Sequence, residues 1–286
     1  MTAAPIVNRP VWPEGVSLLF GIGAQKAGTT WLYHYLRQHP ACRRGPMKEM
    51  HYFDTIAGVG QLSQAKVIGQ PKRAASVRAL FKRPDPYHRA YIELMTEKLE
   101  PGAVALDITP SYALVDAETM RQMAALGDTR FLFLMREPVA RLWSSLRMRI
   151  AKRVDDPAEF EKACQARLDR MLEKGNMKLF AKSDYVTTLE RLEAAVPAER
   201  RLVMFFEDLF RPESAGLICD FLGIERRSPA DVGVRNKGLS ASMRPEQMEK
   251  LVAILRPQYD AACTRFGDAV PQAWHARFAP QPAMGG

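Results

Sequence analysis

Four short apolar runs constrain the fold of this 286-residue chain more than any other feature of its sequence. They span residues 16–22, 103–108, 130–135 and 201–206, and each is almost continuously apolar rather than alternating. Such runs are typical of strands that are buried on both faces of a parallel sheet. Stretches with helical spacing lie between them. Strands that alternate with helices predict a three-layer α/β fold with a mostly parallel sheet flanked by helices.

Helix boundaries are marked in three of the linking stretches. Residues 30–38 follow the first apolar run directly and carry apolar side chains at helical spacing. Pro138 is well placed as the first residue of the helix after the third run, because proline is favoured at that position. Residues 209–222 form a further helical pattern, and Gly223 is its predicted C-cap.

Two segments fit this scheme less well. Residues 59–89 are strongly basic, and residues 152–183 are charged with weak apolar spacing, as in helices laid over the sheet or a mobile cover. With no repeat and no linker, the sequence predicts one domain, 1–278. The Pro/Gly/Ala-rich tail, 279–286, is expected to be disordered.

The charge balance favours an anionic partner, because 41 Lys and Arg against 32 Asp and Glu give a formal net charge of +9. The four cysteines form no Cys-x-x-Cys pair, which favours reduced thiols over a zinc site or a disulfide framework. No apolar run approaches the roughly 20 residues that cross a bilayer, and the first residues lack the pattern of a signal peptide. We therefore expect a soluble, cytoplasmic enzyme that holds no metal; the sequence does not indicate an oligomeric state.

A glycine-rich turn follows the first predicted strand and leads into a helix that begins at Thr29 and Thr30. Free backbone N–H groups at such a helix start form an anion site. The dinucleotide pattern G-x-G-x-x-G fails, because its third glycine would fall on Lys26. The nucleoside-triphosphatase pattern starts at Gly23 but also fails, since Thr29 stands where its lysine belongs. Lys26, inside the turn, is placed instead for the bridging oxygen of a shorter phosphate group.

The segment from Gln25 to Trp31 reads Gln-Lys-Ala-Gly-Thr-Thr-Trp and resembles the 5′-phosphosulfate-binding loop of sulfotransferases. These enzymes use 3′-phosphoadenosine-5′-phosphosulfate (PAPS) as sulfuryl donor. The resemblance implies that Lys26 contacts the bridging oxygen and the 5′-phosphate, and that Trp31 stacks on adenine. The phosphate would be cradled by the small residues of the loop, which are Ala27, Gly28, Thr29 and Thr30.

A second segment, from Leu134 to Leu146, is similar to the family's Arg-x-Pro-x-x-Arg-x-x-Ser signature for the 3′-phosphate. Arg136 lies at the carboxyl end of a predicted strand, where ligands of open α/β sheets bind, and a guanidinium can grip a phosphate bidentately. The resemblance implies that Ser144 is a second ligand of this phosphate. Arg141 is interpreted as a scaffold residue that pairs with a carboxylate.

A late segment, Arg235-Asn-Lys-Gly238, resembles the family loop that closes over the 3′-phosphate. Cytosolic members read Arg-Lys-Gly without an inserted residue, and heparan-type members read Lys-Gly-Arg, where Leu239 stands here. The resemblance assigns Arg235, Lys237 and Gly238 to the donor site.

The general base is expected in the segment 46–54, which is similar to the Lys-Glu-x-His-Phe-Phe-Asp stretch of glycan and heparan sulfotransferases. In those enzymes the glutamate is the base, which implies Glu49 here. His51 is the alternative, because cytosolic members use histidine. The segment Thr109-Pro-Ser-Tyr112 matches the substrate side of the same group, but Ile108 replaces their lysine, and this argues against a heparan-like acceptor.

The resemblance therefore implies in-line transfer of a sulfuryl group from PAPS to the hydroxyl or amine of a small-molecule, lipid or glycan acceptor. A P-loop kinase or nucleotidase is the alternative enzyme, but it would need magnesium and a lysine directly after Gly28. A nucleic-acid-binding module would explain the basic segments, but the sequence shows no recognised nucleic-acid-binding motif there. It would also leave Lys26 and Arg136 unexplained, so no nucleic-acid partner is expected.

Overall fold

The computed structural model describes residues 11–59, 77, 79–81, 85–175, 180–229 and 239–278. Within these ranges five strands form one sheet in which every neighbouring pair is parallel. The strands are β1 (Ser17–Gly23), β2 (Cys42–Arg44), β3 (Val104–Asp107), β4 (Asp128–Met135) and β5 (Arg201–Phe205). Their order in the sheet is β2-β3-β1-β4-β5, which confirms the predicted α/β class.

Ten α-helices occur in the described parts of the chain. They are α1 (Thr29–Leu36), α2 (Tyr52–Ile56), α3 (Arg89–Thr96), α4 (Ala117–Ala124), α5 (Pro138–Ile150), α6 (Pro157–Glu173), α7 (Tyr185–Ala195), α8 (Pro212–Leu222), α9 (Pro245–Phe266) and α10 (Gln272–Phe278). Pro138 is the first residue of α5, as predicted. Gly223 ends α8 in the left-handed conformation, with φ 67°, so the predicted C-cap is also confirmed.

Two features of the structure differ from the sequence predictions. The strand β2 was not predicted, because it has three residues and two of them are exposed arginines. The helix predicted from residue 209 begins at Pro212, since residues 206–210 form turns. The charged segment 152–183 contains α6, which packs beside α5. The tail 279–286 and most of the basic segment 59–89 lie outside the described residues.

The central strand β1 pairs with β3 on one side and with β4 on the other. Because all three run in the same direction, their carboxyl ends meet at one edge of the sheet. From β1 the chain continues to β2 on one side of the sheet, and from β4 it continues to β5 on the other side. The edge between β1 and β4 is therefore a switch point, and this is where open α/β sheets bind ligands. Beneath it the ring of Phe20 packs against Phe53, Tyr112 and Phe131, with ring centroids 5.2–6.0 Å apart.

The turn between β1 and α1 requires glycine at position 28. Gly28 has φ 94°, and a Cβ there would lie 2.5 Å from Cδ2 of Leu209. Lys26, two residues earlier, also has a positive φ of 75°. The positive φ values and the close packing against Leu209 therefore restrict the turn to one conformation, and α1 begins directly after it.

A buried carboxylate at the end of β3 organises the neighbouring loop. Asp107 is fully buried and accepts hydrogen bonds from Thr109 at 2.6 Å and from Tyr91 and Tyr112 at 2.8 Å each. Thr109 Oγ1 in turn accepts from the backbone N–H groups of Met50 at 2.9 Å and of His51 at 3.5 Å. Burial raises the pKa of Asp107 to about 6, although its hydrogen bonds oppose the shift.

This raised pKa predicts an unusual pH dependence of stability. Between the ordinary pKa of 3.8 and about 6 the folded state binds the Asp107 proton more tightly than the unfolded state does. The contribution of Asp107 is therefore complete below pH 4 and is lost as the pH rises towards 6, by roughly 3 kcal/mol. We expect the stability advantage of the wild type over Asp107→Asn, measured by urea unfolding, to be larger at pH 4.5 than at pH 7.

Asp116→Asn is the matched control. Asp116 caps α4 through the backbone N–H of Thr119, and this hydrogen bond lowers the pKa of Asp116. Its contribution is lost only as the pH falls below about 4. The advantage of the wild type over Asp116→Asn is therefore expected to stay constant between pH 4.5 and pH 7. The same constancy for Asp107→Asn would contradict the prediction.

Candidate active site

The turn that follows β1 presents the start of α1 to the switch point. The N-cap of α1 is Gly28, and no side chain caps the helix. The first backbone N–H groups of a helix have no partner within it, and the helix dipole adds a partial positive charge there. Thr29 is buried and Thr30 is partly exposed. This helix start can hold an anion of the size of a phosphate.

Lys26 lies in this turn, half-buried, among other positive charges. Burial lowers the pKa of its ammonium group, and nearby cations lower it further. Those cations are Arg136, Arg147 and Lys48. Positive charges that are held together repel one another, so this cluster favours binding of an anion.

Arg136 follows the last residue of β4 and reaches back to the turn after β1. Its Nη1 donates a 3.0 Å hydrogen bond to the carbonyl oxygen of Lys26. Its guanidinium also lies over the ring of Phe206, 4.3 Å from the centroid, which is a cation–π contact. Burial lowers the pKa of Arg136, although the Glu207 carboxylate opposes this. The two sequence motifs, 110 residues apart, are thus in direct contact.

Two carboxylates, the buried Glu137 and the partly buried Glu207, fix the junction between β4 and α5. Glu137 caps α5 by accepting from the backbone N–H groups of Val139 and Ala140, and it also accepts from the Tyr259 hydroxyl. Glu207 accepts from the backbone N–H of Glu137 at 2.9 Å and from Nε1 of Trp274 at 3.1 Å. Helices α9 and α10 therefore fix these two carboxylates, and through them the start of α5, next to which Arg136 lies. The contacts with α9 and α10 were not predicted from the sequence, because they join residues far apart in the chain.

The expected second phosphate ligand, Ser144, lies two turns into α5 and is nearly buried. The next residue, Ser145, is fully buried. Arg141 is also fully buried, and its Nε donates a 2.6 Å hydrogen bond to Ser183 Oγ. Burial lowers the pKa of Arg141 to about 10. The burial of Arg141 agrees with the scaffold role interpreted from the sequence, whereas the partner of its Nε is a hydroxyl and not the carboxylate that was expected.

Three side chains, two in the loop before α2 and one in its first turn, form a chain of hydrogen bonds. His51 Nδ1 lies 2.7 Å from Oδ2 of Asp54, and His51 Nε2 lies 3.2 Å from Oε2 of Glu49. His51 and Asp54 are buried, whereas Glu49 retains about a fifth of its side-chain exposure. Both nitrogens of the histidine ring therefore contact carboxylates, and Glu49 is the member that reaches the surface of the site.

Lys48 connects this loop to the turn after β1. Its Nζ donates a 2.9 Å hydrogen bond to Thr30 Oγ1 and lies 3.5 Å from Oε1 of Glu49. The two expected catalytic regions are therefore joined through one ammonium group.

Several other predicted residues have definite surroundings. Gln25 accepts a 3.0 Å hydrogen bond from Lys182 Nζ. Trp31 is buried and stacks on Tyr35, with ring centroids 5.3 Å apart. Ala27 is fully buried beneath the turn. The late segment with Arg235, Lys237 and Gly238 lies outside the described residues.

Ile108 stands where the resemblance leads one to expect a lysine. Its side chain is fully buried and packs onto Gly21 of β1, where an added Cβ would lie 2.8 Å from two of its carbons. A residue in this position contributes to the core. Because Gly21 has no side chain, the side chain of Ile108 can occupy the space beside β1.

No cluster of His, Cys, Asp and Glu suited to a metal ion occurs among the residues that the structure describes. Among the described helices, none combines the length and the apolar character needed to cross a membrane.

Comparison with a solved structure supports the fold. The crystal structure of a sulfotransferase from Alicyclobacillus acidocaldarius superposes with a TM-score of 0.62. The match covers 90% of this chain and 98% of that one at 21% sequence identity. At this identity the likeness shows the fold alone.

Comparison of sequences identifies relatives among the sulfotransferases. The mouse heparan sulfate glucosamine 3-O-sulfotransferase 3A1 is 27% identical over 214 residues, which are 72% of this chain and 45% of the relative. The mouse enzyme 3B1 is 26% identical over 250 residues, 79% of this chain and 62% of the relative. The chain thus spans about half to three fifths of the length of these relatives. Residues 19–228 match the Sulfotransferase family, so the chain belongs to that family.

Proposed function

We propose that the protein transfers the sulfuryl group of PAPS to a hydroxyl or amine acceptor by in-line displacement. The observation that carries this proposal is the hydrogen bond between Arg136 and the Lys26 carbonyl, which joins two cationic motifs at the switch point. Glu49 reaches the same region through Lys48. Binding, orientation and electrostatic stabilisation account for most of the catalysis in transfers of this type.

The residues present fit a nucleotide with two phosphate groups. The uncapped start of α1 with Gly28, Thr29 and Thr30 suits the 5′-phosphosulfate, with Gln25 and Ala27 completing the turn. PAPS supplies the sulfuryl group and a good leaving phosphate. Lys26 stabilises the negative charge that develops on the bridging oxygen when the S–O bond breaks. Arg136 and Ser144 bind the 3′-phosphate, with Arg235, Lys237 and Gly238 as further donors.

Glu49 is the proposed general base. It accepts the proton of the acceptor hydroxyl while the acceptor oxygen forms its bond to sulfur. His51 orients Glu49, because its own nitrogens contact Glu49 and Asp54. The alternative, His51 as the base, would require its Nε2 to leave Glu49 and face the acceptor.

The acceptor is proposed to be a glycan, lipid or small molecule with a reactive hydroxyl. The named relatives are 3-O-sulfotransferases of heparan sulfate glucosamine, which supports a glycan. However, the buried Ile108 offers no charge for an anionic chain of the heparan type. We therefore propose an acceptor less anionic than heparan sulfate.

The first test concerns the donor. Adenosine 3′,5′-bisphosphate, the spent donor, should raise the melting temperature without added metal, because a ligand that binds the folded state stabilises it. Adenosine 5′-monophosphate should raise it far less at the same concentration, since Arg136 and Ser144 would have no 3′-phosphate to bind. Differential scanning fluorimetry with both nucleotides measures this difference. Equal shifts from the two nucleotides would contradict the assignment of the 3′-phosphate site, and a requirement for magnesium would favour a kinase or nucleotidase.

The second test separates the roles of Lys26 and Glu49. Lys26→Ala should reduce turnover by about 10²-fold or more and weaken nucleotide binding moderately. Glu49→Gln should preserve nucleotide affinity but reduce turnover by about 10²–10⁴-fold, the usual contribution of a positioned base. Turnover is measured with radiolabelled donor and a panel of alcohol acceptors, and affinity by calorimetry.

His51→Ala serves as the comparison. If Glu49 is the base, Glu49→Gln removes the acidic limb of the pH–rate profile, whereas His51→Ala lowers the rate but retains that limb. Near-normal turnover of Glu49→Gln together with an inactive His51→Ala would identify histidine as the base.

A further inference from the structure

Another arginine, Arg147, lies next to Arg136 and Ser144, the proposed ligands of the 3′-phosphate. Arg147 is on α5, the helix that begins directly after Arg136, and follows Ser144 by three residues. Residues three apart lie on the same face of a helix, about 5–6 Å from each other. The side chain of Arg147 therefore projects from the same side of α5 as Ser144.

The guanidinium of Arg147 makes few hydrogen bonds for a side chain that is partly buried. Its Nη1 donates a long hydrogen bond, 3.5 Å, to the Leu239 carbonyl oxygen. Its Nε is buried and has no hydrogen-bond partner among the residues that the structure describes. A buried N–H group without an acceptor destabilises a protein, and a phosphate oxygen is the acceptor that suits a guanidinium best.

Arg147 also belongs to the cluster of positive charges around Lys26. Its charge lowers the pKa of both Lys26 and Arg136, so it lies within electrostatic range of both. Within the described part of the chain, none of these three cations forms an ion pair with a carboxylate. They supply three positive charges for the roughly four negative charges of PAPS near pH 7, and the ammonium group of Lys48, which also pairs with Glu49, lies near them.

We propose that Arg147 is a second guanidinium for the 3′-phosphate, acting beside Arg136, and that it makes the protein selective for nucleotides that carry this phosphate. The inference rests on the proposed donor and adds a binding residue that the family signature does not include. A 3′-phosphate monoester is close to dianionic at neutral pH. Two guanidinium groups neutralise it, whereas Arg136 is already partly engaged by the Lys26 carbonyl.

Calorimetry with two nucleotides tests this proposal. Wild type, Arg147→Gln and the matched control Arg149→Gln are each titrated with adenosine 3′,5′-bisphosphate and with adenosine 5′-monophosphate. Arg149 is on the same helix but exposed, so its substitution changes the net charge equally without touching the site. We expect Arg147→Gln to weaken the bisphosphate by about 10–100-fold, the usual worth of a hydrogen bond to a charged group. The monophosphate should change by less than about twofold, and Arg149→Gln should change neither.

The outcomes separate this inference from the proposed function. If the wild type does not prefer the bisphosphate, the donor assignment fails. If the wild type prefers it and Arg147→Gln keeps the full preference, only the role of Arg147 is overturned. An equal loss for both nucleotides would also overturn it, since that is a general electrostatic effect. If Arg147→Gln does not fold, Arg147→Lys replaces it, and this variant should retain the charge but lose part of the preference because it cannot bind a phosphate bidentately.

Discussion

The parallel pairing of β1 with β3 and β4 is the constraint on which the rest of the structure depends. It brings three carboxyl strand ends to one edge, and each end contributes a different kind of group. The end of β1 leads to Lys26, the end of β4 to Arg136, and the end of β3 to Asp107, which holds the loop of Glu49 and His51 through Thr109. None of the three strand ends forms the site alone, because each contributes only part of the charged groups of the site.

Holding several cations close together costs free energy, because their charges repel one another. The residues packed around them offset this cost. Two carboxylates, one buried and one partly buried, do this without forming ion pairs with the cations. Glu137 and Glu207 fix the start of α5 through backbone N–H groups and through side chains of α9 and α10. Arg136 is further stabilised by the ring of Phe206. The C-terminal helices, which carry no recognised motif, thus act on the site by positioning it.

Local sequence patterns predicted those parts of the site that depend on the immediate chain neighbours. The strand–turn–helix around Gly28, the start of α5 at Pro138 and the place of Arg136 at the end of β4 belong to this group. The contacts of His51 with Glu49 and Asp54 could not be derived from spacing, because they depend on a left-handed backbone at His51, with φ 53°. Arg147 was missed for a different reason, since only the assembled sheet brings α5 next to Lys26. An arginine one helical turn after a predicted phosphate ligand was the available signal.

Lys48 has a consequence for how the two substrates communicate. Its ammonium group binds Thr30 at the start of α1 and contacts Glu49, so it belongs to both halves of the site. In the proposed reaction, a donor anion that attracts Lys48 would change the electrostatic environment of Glu49, and an acceptor that engages Glu49 would change the charge available to the donor. Such coupling is reciprocal by thermodynamic linkage, so each substrate alters the affinity for the other by the same factor. In the proposed reaction, this contact between two neighbouring loops would couple donor binding to acceptor binding within a single chain.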